Sequence, residues 1–433
     1  MIHRSGTCRA GSENGELGSR LPAREKAGFN TSLTTPTIKS GEKNLRVAQV
    51  TTVDMAVGLL LRDQILYLQR AGWDVEAICS DGPWVPKIRA SGIRVHTVRL
   101  RRAITPFRDI VGLARLYRCF KREKYLIVHT HTPKANLLGQ IAAWLAGVPI
   151  RVITVHGFYF HDRMGRLARN FYIWLERISH RCAGFSFSQN REDIATARRE
   201  KIGADRKMHF LGNGIDLALF NRELHADSAR RLREELGIKA EAPVIGIVGR
   251  LTFEKGYREF VQAAAIVHRQ FPEVHFIAIG PEDVMTFDSM RGLPGMEEIK
   301  DCFHWLGMQV DMPKFYAMMS AFVLPSYREG FPRALMEASA MALPVVATDI
   351  RGCREAVDHR ETGILVPPRN VEPLAEAVLE LLRNPEATRL MGEKGRAKAE
   401  REFDQLTVFR QVLSAYQELA GSTAEVVPRD GGG

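Results

Sequence analysis

Several absences narrow what this chain can be. No segment reaches the roughly 18 uninterrupted apolar residues that a membrane-spanning helix needs. The nearest, residues 135–150, is interrupted by Gln140, Gly147 and Pro149 and reads as a buried helix followed by a turn. The N-terminus carries no apolar signal region, so a cytoplasmic protein is expected. Cysteine is scarce: six in 433 residues (Cys8, Cys79, Cys119, Cys182, Cys302, Cys353), none at metal-ligand spacing. They read as free thiols in a reducing compartment rather than a disulfide framework. Acidic residues fall short of basic ones, leaving a formal net charge of +11. That surplus says nothing about fold, but it favours anionic partners: nucleic acid, an anionic membrane surface or a phosphorylated substrate. A solvated surface that happens to be basic is the plain alternative.

What is present is an alternation of strands and helices. A chain of 433 residues is too long for one ordinary core, so two domains are expected. Residues 1–43 are rich in Gly, Ser, Thr, Arg and Glu and read as a disordered tail, as do residues 421–433. Between them a strand at 45–50, a helix at 58–70 and a strand at 74–79 begin a beat. It continues through 95–98, 109–121, 126–129, 135–145 and 151–155. Such alternation implies a parallel, doubly wound sheet with ligands at the strands' carboxyl ends. The beat restarts at 242–249, after a polar stretch near 221–228. The first domain is therefore placed at 44–220, the second at 221–405, and a final amphipathic helix at 406–420.

One stretch of the second half organises the rest: Ser326-Tyr327-Arg328-Glu329-Gly330-Phe331-Pro332-Arg333-Ala334-Leu335-Met336-Glu337. The apolar run Ala321–Leu324 enters it as a buried strand, and Pro325 ends that strand. Pro332 has the fixed φ that suits a helix start, and good helix formers follow. Glu329 therefore lies in a strand-to-helix turn, with Glu337 inside the helix. Gly330 and the first helical residues leave unpaired N–H groups aimed at the turn, an end that favours anions. The expected result is an anion pocket with one carboxylate at its mouth and another on the helix below.

Two further strand ends carry chemistry. Arg250-Leu251-Thr252-Phe253-Glu254-Lys255-Gly256 puts two cations on one loop, a fork and a point charge suited to a diphosphate. In the first half, His129-Thr130-His131-Thr132-Pro133-Lys134 and Thr154-Val155-His156-Gly157-Phe158 each follow a strand. His-x-His is open to reading as a metal pair, although no third ligand is evident nearby. Gly157 allows close backbone approach to a ligand, which turns His156 toward the cleft. It can equally be a hydrogen-bonded loop histidine. The stretch 163–181 mixes arginines with Phe171, Tyr172, Trp174 and Leu175. That mixture suits the headgroup level of an anionic membrane, and equally an amphipathic helix packed on its own sheet.

Over residues 45–419 the chain resembles the retaining glycosyltransferases of family 4. The resemblance is carried by Glu329-x7-Glu337 in its turn and by Gly249-Arg250-Leu251-x3-Lys255-Gly256. In the first half, Val50-Thr51-Thr52-Val53, His129 to Lys134 and Thr154 to Gly157 resemble the branch that builds capsules and lipid-linked oligosaccharides. It implies the GT-B fold: two Rossmann-like doubly wound domains facing across a cleft, the first taking the acceptor and the second the nucleotide-sugar donor. It further implies a UDP-linked donor and a lipid-linked saccharide acceptor in cell-surface polysaccharide synthesis, at the inner membrane face with peripheral anionic membrane contact. Neither metal nor other cofactor is required under that resemblance, and no nucleic acid partner is implied. The catalytic set it implies is Glu329, Arg250, Lys255 and His156. Glu337, Gly330, Phe331, Pro332, Ala334, Leu335 and Gly307 would hold the nucleotide, Glu337 through the ribose hydroxyls. The first loop departs from the family, with Asp54-Met55-Ala56-Val57-Gly58 where relatives carry a Gly-Gly pair. Two other functions compete: a UDP-sugar epimerase sharing the GT-B layout, and a basic nucleic-acid-binding protein, for which no motif is visible.

Overall fold

The computed structural model describes residues 45–101, 103–161, 164–203, 208–283 and 285–426; the expected tail over 1–43 lies outside them. Two parallel sheets organise the chain. The first comprises β1 Arg46–Val50, β2 Asp74–Cys79, β3 Val95–Thr97, β4 Ile127–Thr130, β5 Ile150–Val155, β6 Phe185–Ser188 and β7 Met208–Phe210, in the order β3-β2-β1-β4-β5-β6-β7. The second comprises β8 Val244–Val248, β9 His275–Ile279, β10 Phe303–Trp305, β11 Ala321–Leu324, β12 Val345–Thr348 and β13 Gly363–Val366, in the order β10-β9-β8-β11-β12-β13. Every strand pair is parallel. Helices cover both faces, so strands such as Ala321–Leu324 are buried on both sides and read as continuous apolar runs. Both sheets reverse their winding once, between β1 and β4 and between β8 and β11. In open sheets of this kind, switch points are where ligands generally bind.

Local sequence fixes many boundaries. Pro106, Pro133 and Pro385 open the helices Pro106–Glu123, Pro133–Ala146 and Pro385–Glu402. Gly147, with φ 72°, closes the second of these in the left-handed conformation. The Asn190 side chain caps Arg191–Arg199 by accepting from the N–H groups of Glu192 and Asp193. Three boundaries differ from expectation. The first helix begins at Asp54 rather than Gly58, as Asp54–Ala56, a π turn Val57–Leu61 and Arg62–Arg70. The Asp54 carboxylate accepts from the Trp84 N–H at 2.8 Å, which ties the helix start to the neighbouring loop. The polar stretch near 221–228 runs into a helix, Ala226–Glu235. Finally, the last helix spans Gln405–Val426, so the first six residues of the expected tail over 421–433 are helical. Gly421 alone does not stop it, and the Ser422 hydroxyl bonds back to the Glu418 carbonyl at 2.9 Å.

That last helix crosses back to the first lobe. Val408, Phe409, Val412, Leu413 and Tyr416 join a core containing Ile65, Leu68, Trp73 and Val75. Burying each such side chain contributes about 1.5–3 kcal/mol, ample to hold the chain end there. The two crossings between lobes lie side by side. Ile215 N–H donates to Phe403 O at 2.9 Å, and Gln405 N–H donates to Ile215 O at 3.1 Å. A Cβ at Gly214 would sit 2.5 Å from Gln405 Cα, so glycine permits this approach. Together the paired crossings form a narrow hinge under a cleft.

Candidate active site

The second lobe's half of the cleft lies at the β8/β11 switch point. The loop after β8 ends in a short helical turn, Phe253–Lys255, and Gly256 in the left-handed conformation. A Cβ at Gly256 would fall 2.1 Å from the Pro325 carbonyl oxygen. That close approach brings the loops after β8 and β11 together. Lys255 Nζ sits 2.5 Å from Glu329 Oε1, with both side chains half-buried or deeper. A few residues on, Pro332 caps the helix Arg333–Ala340, whose first N–H groups face the same turn. The helix-end dipole favours an anion at this spot, and Lys255 is the cation that Glu329 now satisfies. Glu337, deep on that helix, accepts from the Tyr316 hydroxyl at 2.9 Å and lies 3.6 Å from Arg333 Nε. Burial pushes its carboxyl above the usual range. Leu335 is fully buried and Phe331 packs edge-on against Phe403, so the turn is anchored from beneath.

Two other expected members lie on neighbouring loops. Arg250 forms an ion pair with Asp283, on the loop after β9, rather than joining Lys255 and Glu329. The reason is tertiary: the fold brings the Pro281-Glu282-Asp283 loop up to the guanidinium, and both side chains remain partly exposed. Gly307 follows the edge strand β10 with φ 62°, and its carbonyl accepts from the Gly280 N–H at 2.8 Å.

In the first lobe, β4 and β5 present three histidines. His156 Nδ1 meets Gln189 Oε1 at 3.0 Å and its Nε2 meets His131 Nδ1 at 3.2 Å. Both ring nitrogens are thus engaged by the protein. His129 lies between the Tyr416 hydroxyl and the Thr154 hydroxyl, each at 2.7 Å. The His-x-His pair is therefore spent on internal hydrogen bonds. Burial holds His129 down to about 3 and His156 to about 4, so these imidazoles are neutral near pH 7. Among the described residues Glu76, His96 and Glu123 could also hold a metal ion. Arg46 fills that space instead, 2.8 Å from Glu76 and 3.0 Å from Glu123.

The lobes touch through two glycines. A Cβ at Gly157 would lie 2.5 Å from Gly330 Cα, and one at Gly330 would lie 1.6 Å from the His156 carbonyl oxygen. Beside this contact, Asn190 Nδ2 donates to the carbonyls of Gly330 and Arg351 at 3.1 and 3.2 Å. Three consecutive residues then pair across the gap. Arg191 meets Glu355, Glu192 meets Arg354 at 2.7 and 2.8 Å, and buried Asp193 meets Arg351 at 2.6 Å. His156 is thereby held beside the turn that carries Glu329. None of Gln49, Asn190, Asp193, Arg351 or Tyr416 was marked by sequence reasoning. Asn190, standing after a strand and before a helical run, was the one detectable as a cap.

Family models match both lobes: "Glycosyl transferase 4-like domain" over residues 57–214 and "Glycosyl transferases group 1" over residues 228–398. The chain belongs to the family 4 glycosyltransferases. An Escherichia coli UDP-Gal:alpha-D-GlcNAc-diphosphoundecaprenol alpha-1,3-galactosyltransferase is 29% identical over 350 residues, covering 79% of this glycosyltransferase and 89% of the relative. The Staphylococcus aureus capsular polysaccharide biosynthesis glycosyltransferase CapM is 28% identical over 384 residues, covering 86% and 97% respectively. Among solved structures, Anabaena Alr3699/HepE in complex with UDP and glucose superposes with a TM-score of 0.73 at 21% identity, covering 86% of this chain and 99% of that one. That likeness shows the glycosyltransferase to have the GT-B fold.

Proposed function

We propose that this glycosyltransferase moves a sugar, with retention, from a UDP-linked donor on its second lobe to a lipid-linked saccharide presented to its first. The observation that carries the reading is the Lys255–Glu329 pair. It sits at the β8/β11 switch point, beside a helix start and opposite His156. An incoming diphosphate can exchange for Glu329 as the partner of Lys255. Glu329 is then released toward the hydroxyls of the transferred sugar. Arg250 adds a second cation once it leaves Asp283, and Glu337 faces the ribose. As the glycosidic bond breaks, negative charge grows on the leaving phosphate, and fixed cations and helix amides stabilise it. The acceptor hydroxyl attacks from the leaving-group face and gives its proton to the departing phosphate. The cations do the work a metal would do, so transfer proceeds without one.

The acceptor side is supported by the first lobe's outer face. The helices Pro106–Glu123, Pro133–Ala146 and Arg166–Cys182 lie side by side there. They expose Phe107, Ile110, Trp144, Leu167, Phe171 and Trp174, with Phe107 87% and Leu167 90% exposed. Arg108, Arg115, Arg118 and Arg166 stand among them, all exposed. Aromatic and aliphatic tips between arginines fit an anionic lipid surface. Among the described residues no helix is long and apolar enough to cross a membrane, so contact there is peripheral. The testing experiment incubates purified protein with radiolabelled UDP-sugars and a membrane lipid extract. Label in a lipid-linked product is expected, with and without EDTA. Conversion of the donor alone would mark an epimerase instead. Absence of any lipid-linked product across the donor panel would overturn the reading.

A further inference from the structure

Seven polar side chains inside the first lobe form one hydrogen-bonded chain that ends at the cleft. Gln189 Oε1 faces His156 Nδ1 at 3.0 Å, and His156 Nε2 faces His131 Nδ1 at 3.2 Å. His131 Nε2 meets Gln49 Oε1, and Gln49 Nε2 donates to the Tyr416 hydroxyl at 2.9 Å. The Tyr416 hydroxyl meets His129 Nδ1, and His129 Nε2 meets Thr154 Oγ1, each at 2.7 Å. Gln49, His129, Thr154 and Tyr416 are at most 1% exposed, so bulk water cannot replace a lost partner.

Proton counting makes this chain directional. A neutral imidazole donates through one nitrogen and accepts through the other. The His131–His156 pair faces an amide oxygen at each end and shares one contact in its middle. Three contacts call for three N–H protons, and two neutral rings carry two. One glutamine therefore turns its NH2 toward a ring when the pair is neutral. If Gln49 turns, His131 donates from Nδ1 and His156 bears its proton on Nδ1. If Gln189 turns, His156 bears it on Nε2. The sense of Gln49 is tied to the Tyr416 hydroxyl, which has one proton to give, either to Gln49 or to His129.

We propose that Tyr416 and Gln49 are positioning residues for transfer: they set the proton sense of this chain, and hence whether His156 Nε2 donates to or accepts from a sugar hydroxyl when its long contact to His131 is exchanged for substrate. The inference rests on the cleft being the transfer site. It gives the returning helix a task beyond packing, because Tyr416 reaches the chain only when that helix is seated on the first lobe.

Tyr416→Phe tests it, since the ring keeps its edge-on contact with Trp73 at 5.5 Å. The expected result is a kcat lower by about tenfold, the rate equivalent of one neutral hydrogen bond, with the donor KM held within about twofold. In a His156→Asn background the same change should cost nothing further, whereas a purely structural role would lower both backgrounds alike. Long-range proton–nitrogen spectra of the unliganded, histidine-labelled protein should show the His156 ring nitrogens changing pattern in Tyr416→Phe. Equal losses in both backgrounds, or an unchanged His156 pattern, would overturn the proposal. If the wild type transfers no sugar at all, the reading of the cleft fails, and the spectra still decide whether Tyr416 governs His156.

Discussion

Gly330→Ala asks whether the lobes must touch for transfer. The added Cβ would lie 1.6 Å from the His156 carbonyl oxygen, where ordinary contact begins at 3.4 Å. Gly330 is not among the positive-φ glycines, so alanine fits the backbone of its own lobe. The clash is relieved by opening the gap by roughly 1.5–2 Å. That displacement carries both Asn190 bonds, at 3.1 and 3.2 Å, beyond hydrogen-bonding reach. Two such bonds at about 1 kcal/mol each, with a weakened buried Asp193–Arg351 pair, place about 2–4 kcal/mol against closure. The closed-to-open ratio should fall about 30–700-fold, lowering kcat. UDP affinity should fall less than about tenfold, because Lys255, Arg250 and the helix start all lie on one lobe. Initial rates of transfer from labelled donor, titration calorimetry with UDP and thermal melts make the comparison. Gly165→Ala, with open space around it, is the control. Wild-type kcat in Gly330→Ala would refute the need for this contact.

Other expectations are shorter to state. Lys255→Ala should lower transfer at least about a hundredfold, the scale of one lost electrostatic donor, with melting unchanged; near-normal turnover would remove Lys255 from the site. Acidification should destabilise the fold. His129 is held at about 3, and His156 and His180 at about 4, by burial, so the unfolded chain binds more protons below about 6.5. Buried Glu176, pushed up to about 8, acts in the opposite sense: its neutral form is favoured in the fold, so its contribution grows as pH falls. For these four groups together the loss between pH 7 and 5.5 is on the order of 2 kcal/mol; His131, also held low by burial, adds to it, and Glu176→Gln should make it steeper. A melting temperature flat over that range would contradict both assignments. Replacing Phe107, Leu167 and Trp174 by serine should abolish sedimentation with anionic liposomes while leaving the melt unchanged; unaltered sedimentation would place the lipid surface elsewhere.

Much of the architecture was legible because parallel strands buried on both faces leave long apolar runs. Ala321–Leu324 was read to the residue, and the β8 and β11 loops announced themselves through Gly256 and Pro332. Helix starts were softer. The helix expected from Gly58 begins at Asp54 because a tertiary bond to the Trp84 N–H captures Asp54. The pairing of Arg250 was not legible either, since Asp283 lies 33 residues away and only the fold brings the two loops together.

Local order along the chain was enough to determine two doubly wound lobes, their strand-end loops, and the Glu329, Lys255 and His156 positions. Those depend on periodicity, turn residues and spacing, which act over a few residues. Tertiary structure alone decided which charges meet, that His156 is held by Gln189 and His131, and that Tyr416 joins a chain begun at Gln49, 367 residues earlier. Such contacts arise when distant segments share one core, and no local pattern encodes a hydrogen bond between them.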